Sequence, residues 1–350
     1  MTGRVAVVAV GARTPLGPSA PSSWLALRAG LSGIREHRQM VDGNGDRIVG
    51  GWDPDLNPAS RGAERLAALL DLAFRDLRMS LPAGVNGPLA LPLLLNLPEP
   101  RPGFSATDAG RLRDGLARLD LGPLAPDRVH IRTSGHAGGL EALGVAHAAI
   151  QRGETDAVLI AGAESYFDAD TIDWLEAHRQ LLNATGRSAF APAEGAAVCL
   201  ATSEALARSM GFPARMPVLS VSRAVEPVPI KAEDGVCLGR GLSEALGHIL
   251  RALHGSDRIN AIVSDQNGER YRSDEWGFMA IRDGRRFDNV TDYLAPATGW
   301  GDMGAATGPL FVALAFLNGS QDPKPRTLLA ASSESGLRAM ALVGPTERGG

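Results

Sequence analysis

Nucleophiles are scarce in this chain of 350 residues. Cys199 and Cys237 are its two cysteines, and Lys231 and Lys324 are its two lysines. Cys199 sits in the apolar run GAAVCLAT, where a thiol is expected to pack as an inert core group. Cys237 lies in the glycine-flanked DGVCLGRG and also reads as a packing residue, with lining of a cavity as the alternative. Any chemistry that needs an amine has only Lys231 and Lys324. Of seven histidines, His136 and His147 share one helical pattern, eleven residues apart on roughly the same face. His37, His130, His178, His248 and His254 are scattered, and no i, i+4 histidine pair or C-x-x-C suggests a metal site. No metal and no cofactor is expected. The most charged stretch, Asp265-Gln-Asn-Gly-Glu-Arg-Tyr-Arg-Ser-Asp-Glu-Trp276, reads either as a salt-bridged loop entering a helix or, through its arginines and aromatics, as a protein-binding surface.

Short apolar runs alternate with helical patterns and must position these groups. Val5–Val10 is an unbroken apolar run, as for a strand buried on both faces. Leu66, Leu69, Leu70, Phe74 and Leu77 make one face of a helix over Ser60–Met79. Strands are expected at Leu89–Leu97, Val129–Thr133, Asp156–Ala163 and Gly195–Thr202. An Ala-rich helix over His136–Gln151 follows Gly135 and ends before Gly153. Gly43–Gly51 reads as a hairpin. After a break at Gly211–Pro213 the style repeats: strands at Pro217–Arg223, Asn260–Ser264, Thr327–Ser332 and Leu337–Val343, and helices at Leu242–Leu253, Asp274–Arg282 and Met303–Leu317. The last of these follows a glycine-rich turn at Thr298–Gly301. This order predicts an α/β chain with mixed or parallel sheets covered by helices, and suggests a duplicated unit.

Composition excludes several classes. Apolar residues make up 44% and charged residues 21%, as in a globular chain and not a disordered one. The formal net charge of −4 offers no global positive field, so neither a nucleic-acid nor an anionic-membrane partner is expected. The most apolar run, Pro88–Pro98, is far short of the ~20 residues of a membrane-spanning helix. The N-terminal run lacks a small-residue cleavage site, so a first strand is read there, with a cytoplasmic location.

Three stretches resemble the β-ketoacyl-ACP synthase branch of the thiolase superfamily. They are VAVVAVGARTPLGPSAPSSWLALRAGLSGIRE from Val5, SGHAGGLEALGVAHAAIQRGETDAVLIAGAESY from Ser134, and FAPAEGAAVCLATSEALARSMG from Phe190. TGWGDMGAATGP, from Thr298 to Pro309, is similar to the family's T-G-H turn and following helix. The resemblance implies a thiolase fold, a duplicated five-layered αβαβα arrangement with mixed sheets. Its N-terminal half would span 1–212, carrying the nucleophile-position helix, and its C-terminal half 213–350. It also implies a homodimer built through a strand of the N-terminal half.

The family's catalytic cysteine opens the buried helix, where the helix dipole favours thiolate. In this alignment His136 takes that place. Asn267 matches the first family histidine, and Trp300 or Gly301 the second, depending on a one-residue shift. Ser333–Arg338 replaces the late loop that contributes to the oxyanion site. The resemblance therefore makes His136, Ser134, Asn267 and Asp302 the equivalents of the family active site, without its cysteine and histidines. It implies a non-condensing protein that acts by binding. The DGNGDRIVGG, D-x-N-G-E-R-Y-R and G-W-G-D-M-G-A-A-T-G-P loops are similar to a ketosynthase-like group whose members are often encoded beside type VI secretion effectors and adaptors. That points to an effector, an adaptor, a ketosynthase or an acyl carrier protein as partner. The alternatives are an acyltransferase or 3-oxoacyl-ACP synthase-type enzyme using His136 or Ser134 on acyl thioesters, and a chain-length-factor-like partner of an active ketosynthase.

Overall fold

A computed structural model describes residues 4–345 apart from 84, 86–88, 117, 120, 184, 185, 187, 214, 230–234 and 320–324. Lys231 and Lys324 lie outside the described residues. The elements are β1 (Val5–Arg13), α1 (Ala20–Arg28), β2 (Arg35–Val41), β3 (Arg47–Gly50), α2 (Gly62–Met79), β4 (Leu89–Asn96), α3 (Ala106–Leu116), β5 (Leu124–Arg132), α4 (Gly135–Gln151), β6 (Ala157–Ser165) and α5 (Ala169–Ala177). They continue with β7 (Glu194–Ser203), α6 (Glu204–Ser209), β8 (Met216–Val225), α7 (Arg240–Leu250), β9 (Ala261–Ser264), α8 (Arg270–Asp283), α9 (Ala297–Trp300), α10 (Thr307–Asn318), β10 (Thr327–Ser332) and β11 (Leu337–Val343).

Strands β5-β4-β6-β7-β1 are followed by β8-β11-β10-β9 in one continuous hydrogen-bonded order. The two groups repeat each other. β6 and β4 run parallel, as do β10 and β9. β6–β7 and β7–β1 are antiparallel, as are β10–β11 and β11–β8. Where β5 flanks β4, the second group has isolated parallel bridges, Ile259 to Phe287 and Val263 to Leu294. Among the described residues the strands of the two groups pair at Ala6–Pro217 and Val7–Met216.

Three apolar clusters make the layers. Helices α2 and α3 cover one face of the first group, and α7 and α8 cover one face of the second. Helices α4 and α10 lie between the two groups and contribute to a central core with residues of both. The order is therefore α, β, α, β, α. Strand β1 explains why its sequence is apolar throughout. Val5, Val7, Val10 and Ala12 enter the central core, while Ala6, Val8 and Ala9 face α2. A bulge between Val7 and Ala9 shifts the alternation by one residue, which is what a bulge does to a two-residue repeat.

Helix α10 is apolar on every side and buried from Thr307 to Ala315, as an interior helix must be. It approaches α4 at two glycines. A Cβ on Gly139 would lie 2.3 Å from Cδ of Pro309, and one on Gly308 would lie 2.6 Å from the Leu140 nitrogen.

Most expected elements occur, with shifted ends. Helix α8 begins at Arg270, four residues before the expected Asp274. The helix expected at Met303–Leu317 begins only at Thr307, after a 3-10 turn at Gly304–Ala306, and the expected turn at Thr298–Gly301 is largely helix α9. The cause is Gly304, whose φ of +40° interrupts the helix. A Cβ there would sit 2.0 Å from Oε2 of Glu164.

Gly308→Ala is expected to cost about 1–3 kcal/mol through overpacking. Urea unfolding would show it as a lower midpoint with an unchanged slope. An unchanged midpoint would mean that α4 and α10 can separate without loss.

Candidate functional site

Helix α4 starts at a left-handed Gly135 (φ +59°), which turns the chain so that His136 occupies the first turn in the interior. His136 is 6% exposed. Its Nε2 lies 2.8 Å from Oδ1 and 3.0 Å from Oδ2 of Asp302. Asp302 is fixed by its own backbone, with its N–H donating to the Ala191 carbonyl and its carbonyl accepting from the Ala193 N–H. Its carboxylate also accepts from the Tyr166 hydroxyl (3.0 Å), the Gly304 N–H (2.8 Å) and Nδ2 of Asn267 (2.6 Å).

Behind this pair stands Arg272 of α8. Its Nη1 donates to Asp265 and to the Ser332 carbonyl, its Nε pairs with Glu269 at 3.3 Å, and its Nη2 lies 3.4 Å from Nε2 of His136. Asn267 donates a further hydrogen bond to Glu269 at 3.0 Å. Much of the DQNGERYRSDEW stretch is thus interior, while Gly268, Arg270, Ser273 and Asp274 are exposed. Arg272, Tyr271 and Trp276 are buried at 2%, 6% and 5% exposure, which corrects the reading of these residues as a protein-binding surface. Charge pairing to Asp265 and Glu269 is what allows an arginine inside.

The electrostatics favour the charged form of both partners. Burial disfavours the His136 imidazolium, and Arg272 adds to that, but attraction to Asp302 prevails and raises the pKa above the usual 6.5. For Asp302, burial favours the acid, yet His136, Arg272 and the Asn267 hydrogen bond hold it well below the usual carboxylate range. Tyr166 is pushed far up by burial and by the neighbouring carboxylates of Asp302 and Glu164. The α4 N-terminus by itself would repel a cation, so Asp302 supplies the compensating anion.

An Nε2 that donates its hydrogen to a carboxylate 2.8 Å away has no lone pair at that nitrogen to attack a thioester. Ser134 belongs to the surroundings rather than the pair. Its carbonyl accepts from Oγ of Ser333 (2.6 Å) and its N–H donates to Oδ1 of Asn96 (3.3 Å). Among the described residues no histidine or carboxylate is hydrogen-bonded to its hydroxyl. The N–H of Ala137, an orphan donor of the first turn, donates to Ser333 Oγ at 2.9 Å. A side chain thus occupies the helix-end donor that could have bound an oxyanion.

Trp300 is buried in the central core, and Gly301 has a φ of +88° with no room for a Cβ against Ala191 and Ala193. The side chain of this turn that reaches His136 is Asp302. The structure therefore brings His136, Asn267 and Asp302 together, with Ser134 adjacent through its backbone. Arg272, Tyr166 and Ser333 were missed by sequence reasoning. The late loop around Ser333 and the charged Asp265–Trp276 stretch were signals without an assigned role. Cys199 is buried at 1% exposure as expected, and burial pushes its thiol far up. His147 is half-buried, and burial lowers its pKa.

The cavity at His136 is small, about 100 Å³, and is lined by Glu99, Arg101, Glu164, Tyr166, Trp174 and Glu334 among others. Its volume falls below that of a usual small-molecule pocket, and three of its lining groups are carboxylic. A larger cavity of about 500 Å³ lies elsewhere, between α4 and strands β4 and β5.

No protein-family model matches the sequence, and no curated protein does. Solved structures do match. One is a type II polyketide-synthase acyl-carrier protein in complex with its ketosynthase bound to the hexaketide (16% identity, 98% of this chain and 100% of that chain, TM-score 0.73). A second is the ishigamide ketosynthase/chain length factor (18% identity, 98% and 99%, TM-score 0.74). A third is a ketosynthase in complex with its chain length factor from Xenorhabdus doucetiae (15% identity, 98% and 98%, TM-score 0.72). The fold is therefore the thiolase fold. Within that class, the solved structures this chain is similar to are ketosynthases and chain length factors. Among the described residues no helix is long and apolar enough to cross a membrane.

Asp302→Asn is expected to lower the His136 pKa and to destabilise the fold by about 3–5 kcal/mol, because it leaves the buried His136 without its anion. His136 has a raised pKa, so its stabilisation is full below pH 6.5 and fades as pH rises through the shifted value. Asp302 has a lowered pKa, so its contribution is full above pH 3.8 and is lost as pH falls through its own shifted value. The pair should thus stabilise most strongly between these limits. NMR titration of the His136 ring checks this, and a midpoint below 6.5 in the unaltered protein would refute it.

Proposed function

We propose that this chain is a non-condensing thiolase-fold protein that acts by binding a protein partner. The observation that carries the reading is the buried His136–Asp302 pair. In the sequence alignment to condensing enzymes, His136 stands where the cysteine would be. Here its Nε2 faces a carboxylate and a guanidinium. A condensing reaction needs a group that accepts an acyl chain and donors that hold the oxyanion. His136, Ser134, Asn267 and Asp302 would be structural heirs of that machinery: Asp302 binds His136 and Asn267, His136 lies against Arg272, and Ser134 is held apart by Ser333 and Asn96. Loss of the nucleophile alone is worth a rate factor on the order of 10³ or more. The halves 1–212 and 213–350 are read as the two copies of the duplicated unit.

For the partner, two features support a second thiolase-fold chain. Strand β5 is the last strand of its sheet and pairs only with β4 among the described residues. The cavity of about 500 Å³ beside it includes Val129 and Ile131 of that edge. A free strand edge flanked by apolar side chains is a pairing surface. A homodimer is the first such arrangement. A chain-length-factor-like pairing with an active ketosynthase is the second, favoured by the similar structures that are ketosynthase and chain length factor complexes. An acyl carrier protein fits the same reading, since one similar structure is a carrier protein with its ketosynthase. The type VI secretion effector or adaptor implied by the loop resemblance remains part of this proposal, as does a cytoplasmic location.

The purified protein mixed with malonyl and acyl thioesters should give no 3-oxoacyl product. Product that disappears on His136→Ala would overturn the reading. Incubation with acyl-CoA should likewise leave no covalent mass on the chain, whereas an adduct abolished by Ser134→Ala would establish the acyltransferase alternative.

A further inference from the structure

A second charge cluster, built from residues next to β8, α7 and α8, shares no side chain with the His136–Asp302 pair. Glu226 follows β8, Cys237 precedes α7 and Glu275 lies on α8. Each offers one ligand atom, and these atoms lie within 4.8 Å of one another. Glu226 and Glu275 are buried, at 2% and 1% exposure. Sequence spacing hid the group, since the three residues share no short motif and no metal was expected.

Both carboxylates have an outer partner. Glu226 Oε2 accepts the Gly241 N–H at 2.7 Å. Glu275 accepts from Nε (2.8 Å) and Nη2 (2.6 Å) of Arg338. The Cys237 thiol donates to Glu275 Oε1 at 3.0 Å. Oriented ligands of this kind are characteristic of metal sites. The independent observation is Glu226 Oε1, which is buried and has no hydrogen-bond partner. A buried carboxylate oxygen left unpaired is costly and calls for a cation or a proton.

We propose that Glu226, Cys237 and Glu275 bind a divalent transition-metal ion, with Zn²⁺ as the best-matched class. A thiolate with two carboxylates selects against Mg²⁺ and Ca²⁺, which take oxygen ligands only. Water would complete a four-coordinate site. The charges balance. Counting the buried groups, two carboxylates oppose one guanidinium, Arg338. When Zn²⁺ replaces the thiol proton, two carboxylates and a thiolate face Zn²⁺ and Arg338. The step is Cys237–SH plus Zn²⁺ giving the Cys237 thiolate–Zn²⁺ bond and one released proton, with no redox change. The loop before α7 would thereby be tied to α8 and the end of β8.

The test uses the full chain, stripped with a chelator and titrated with Co²⁺. The expected result is a thiolate-to-cobalt charge-transfer band saturating at one Co²⁺ per chain, with about one proton released, and bleached by Zn²⁺. Cys237→Ser should abolish the band and Cys199→Ser should keep it. Glu226→Gln should weaken binding about tenfold or more. No band, or a band that survives Cys237→Ser, would refute the site. The unaltered chain gives a second reading that no folding defect can confuse. Zn²⁺ should slow iodoacetamide alkylation of Cys237, located by mass spectrometry, about tenfold or more. An unchanged alkylation rate would equally overturn the proposal.

Discussion

The Asp302 carboxylate is the point on which the interior depends. It accepts from His136 at the start of α4, Tyr166 after β6, Asn267 before α8 and the Gly304 amide before α10. Its own backbone pairs with the strand-like segment around Ala191–Ala193. Elements from both halves therefore meet at one anion. Such an arrangement is stable only if every neighbour is positively charged or donates a proton, because an uncompensated buried charge costs several kcal/mol. His136 and Arg272 meet that condition as charges, and the other contacts meet it as donors.

This requirement also explains the chemistry the site can perform. A catalytic histidine needs a pKa near the working pH and a nitrogen free to exchange a proton. Binding to Asp302 favours the imidazolium and occupies Nε2. Ser333 treats the start of α4 in the same way by capping the Ala137 amide. What could have been a site for an acyl oxyanion is closed by the chain's own side chains. The groups around it, Glu164 with Arg101 and Glu194 with Arg65, are likewise paired internally.

Close packing sets the rest. The two interior helices approach through Gly139 and Gly308, and the strand order repeats on either side of them. A duplicated unit makes that geometry understandable. Each copy supplies a sheet group, an outer helix pair and one interior helix. The short junction of β1 with β8 lets the two groups face each other across α4 and α10.

Much of the fold was legible in the residues. The unbroken apolar run of β1, the all-apolar α10 and the alternating strand–helix order specify an α/β chain with buried strands, because burial on both faces leaves no room for polar alternation. The motif order gave the thiolase fold, and the sequence placed His136, Asn267 and Asp302 in one candidate site. Tertiary structure alone decided what those residues do. That Arg272 is interior and not a surface contact follows from its pairing with Asp265 and Glu269, which composition cannot reveal. That Asp302, and not Trp300 or Gly301, faces His136 follows from the left-handed turn at Gly301 and the bridge to Pro192. The grouping of Glu226, Cys237 and Glu275 likewise comes from β8, α7 and α8 converging. Local sequence fixes which backbone each segment prefers. Long-range packing fixes which charges meet, and it is the meeting of charges in a low-dielectric interior that sets protonation and reactivity.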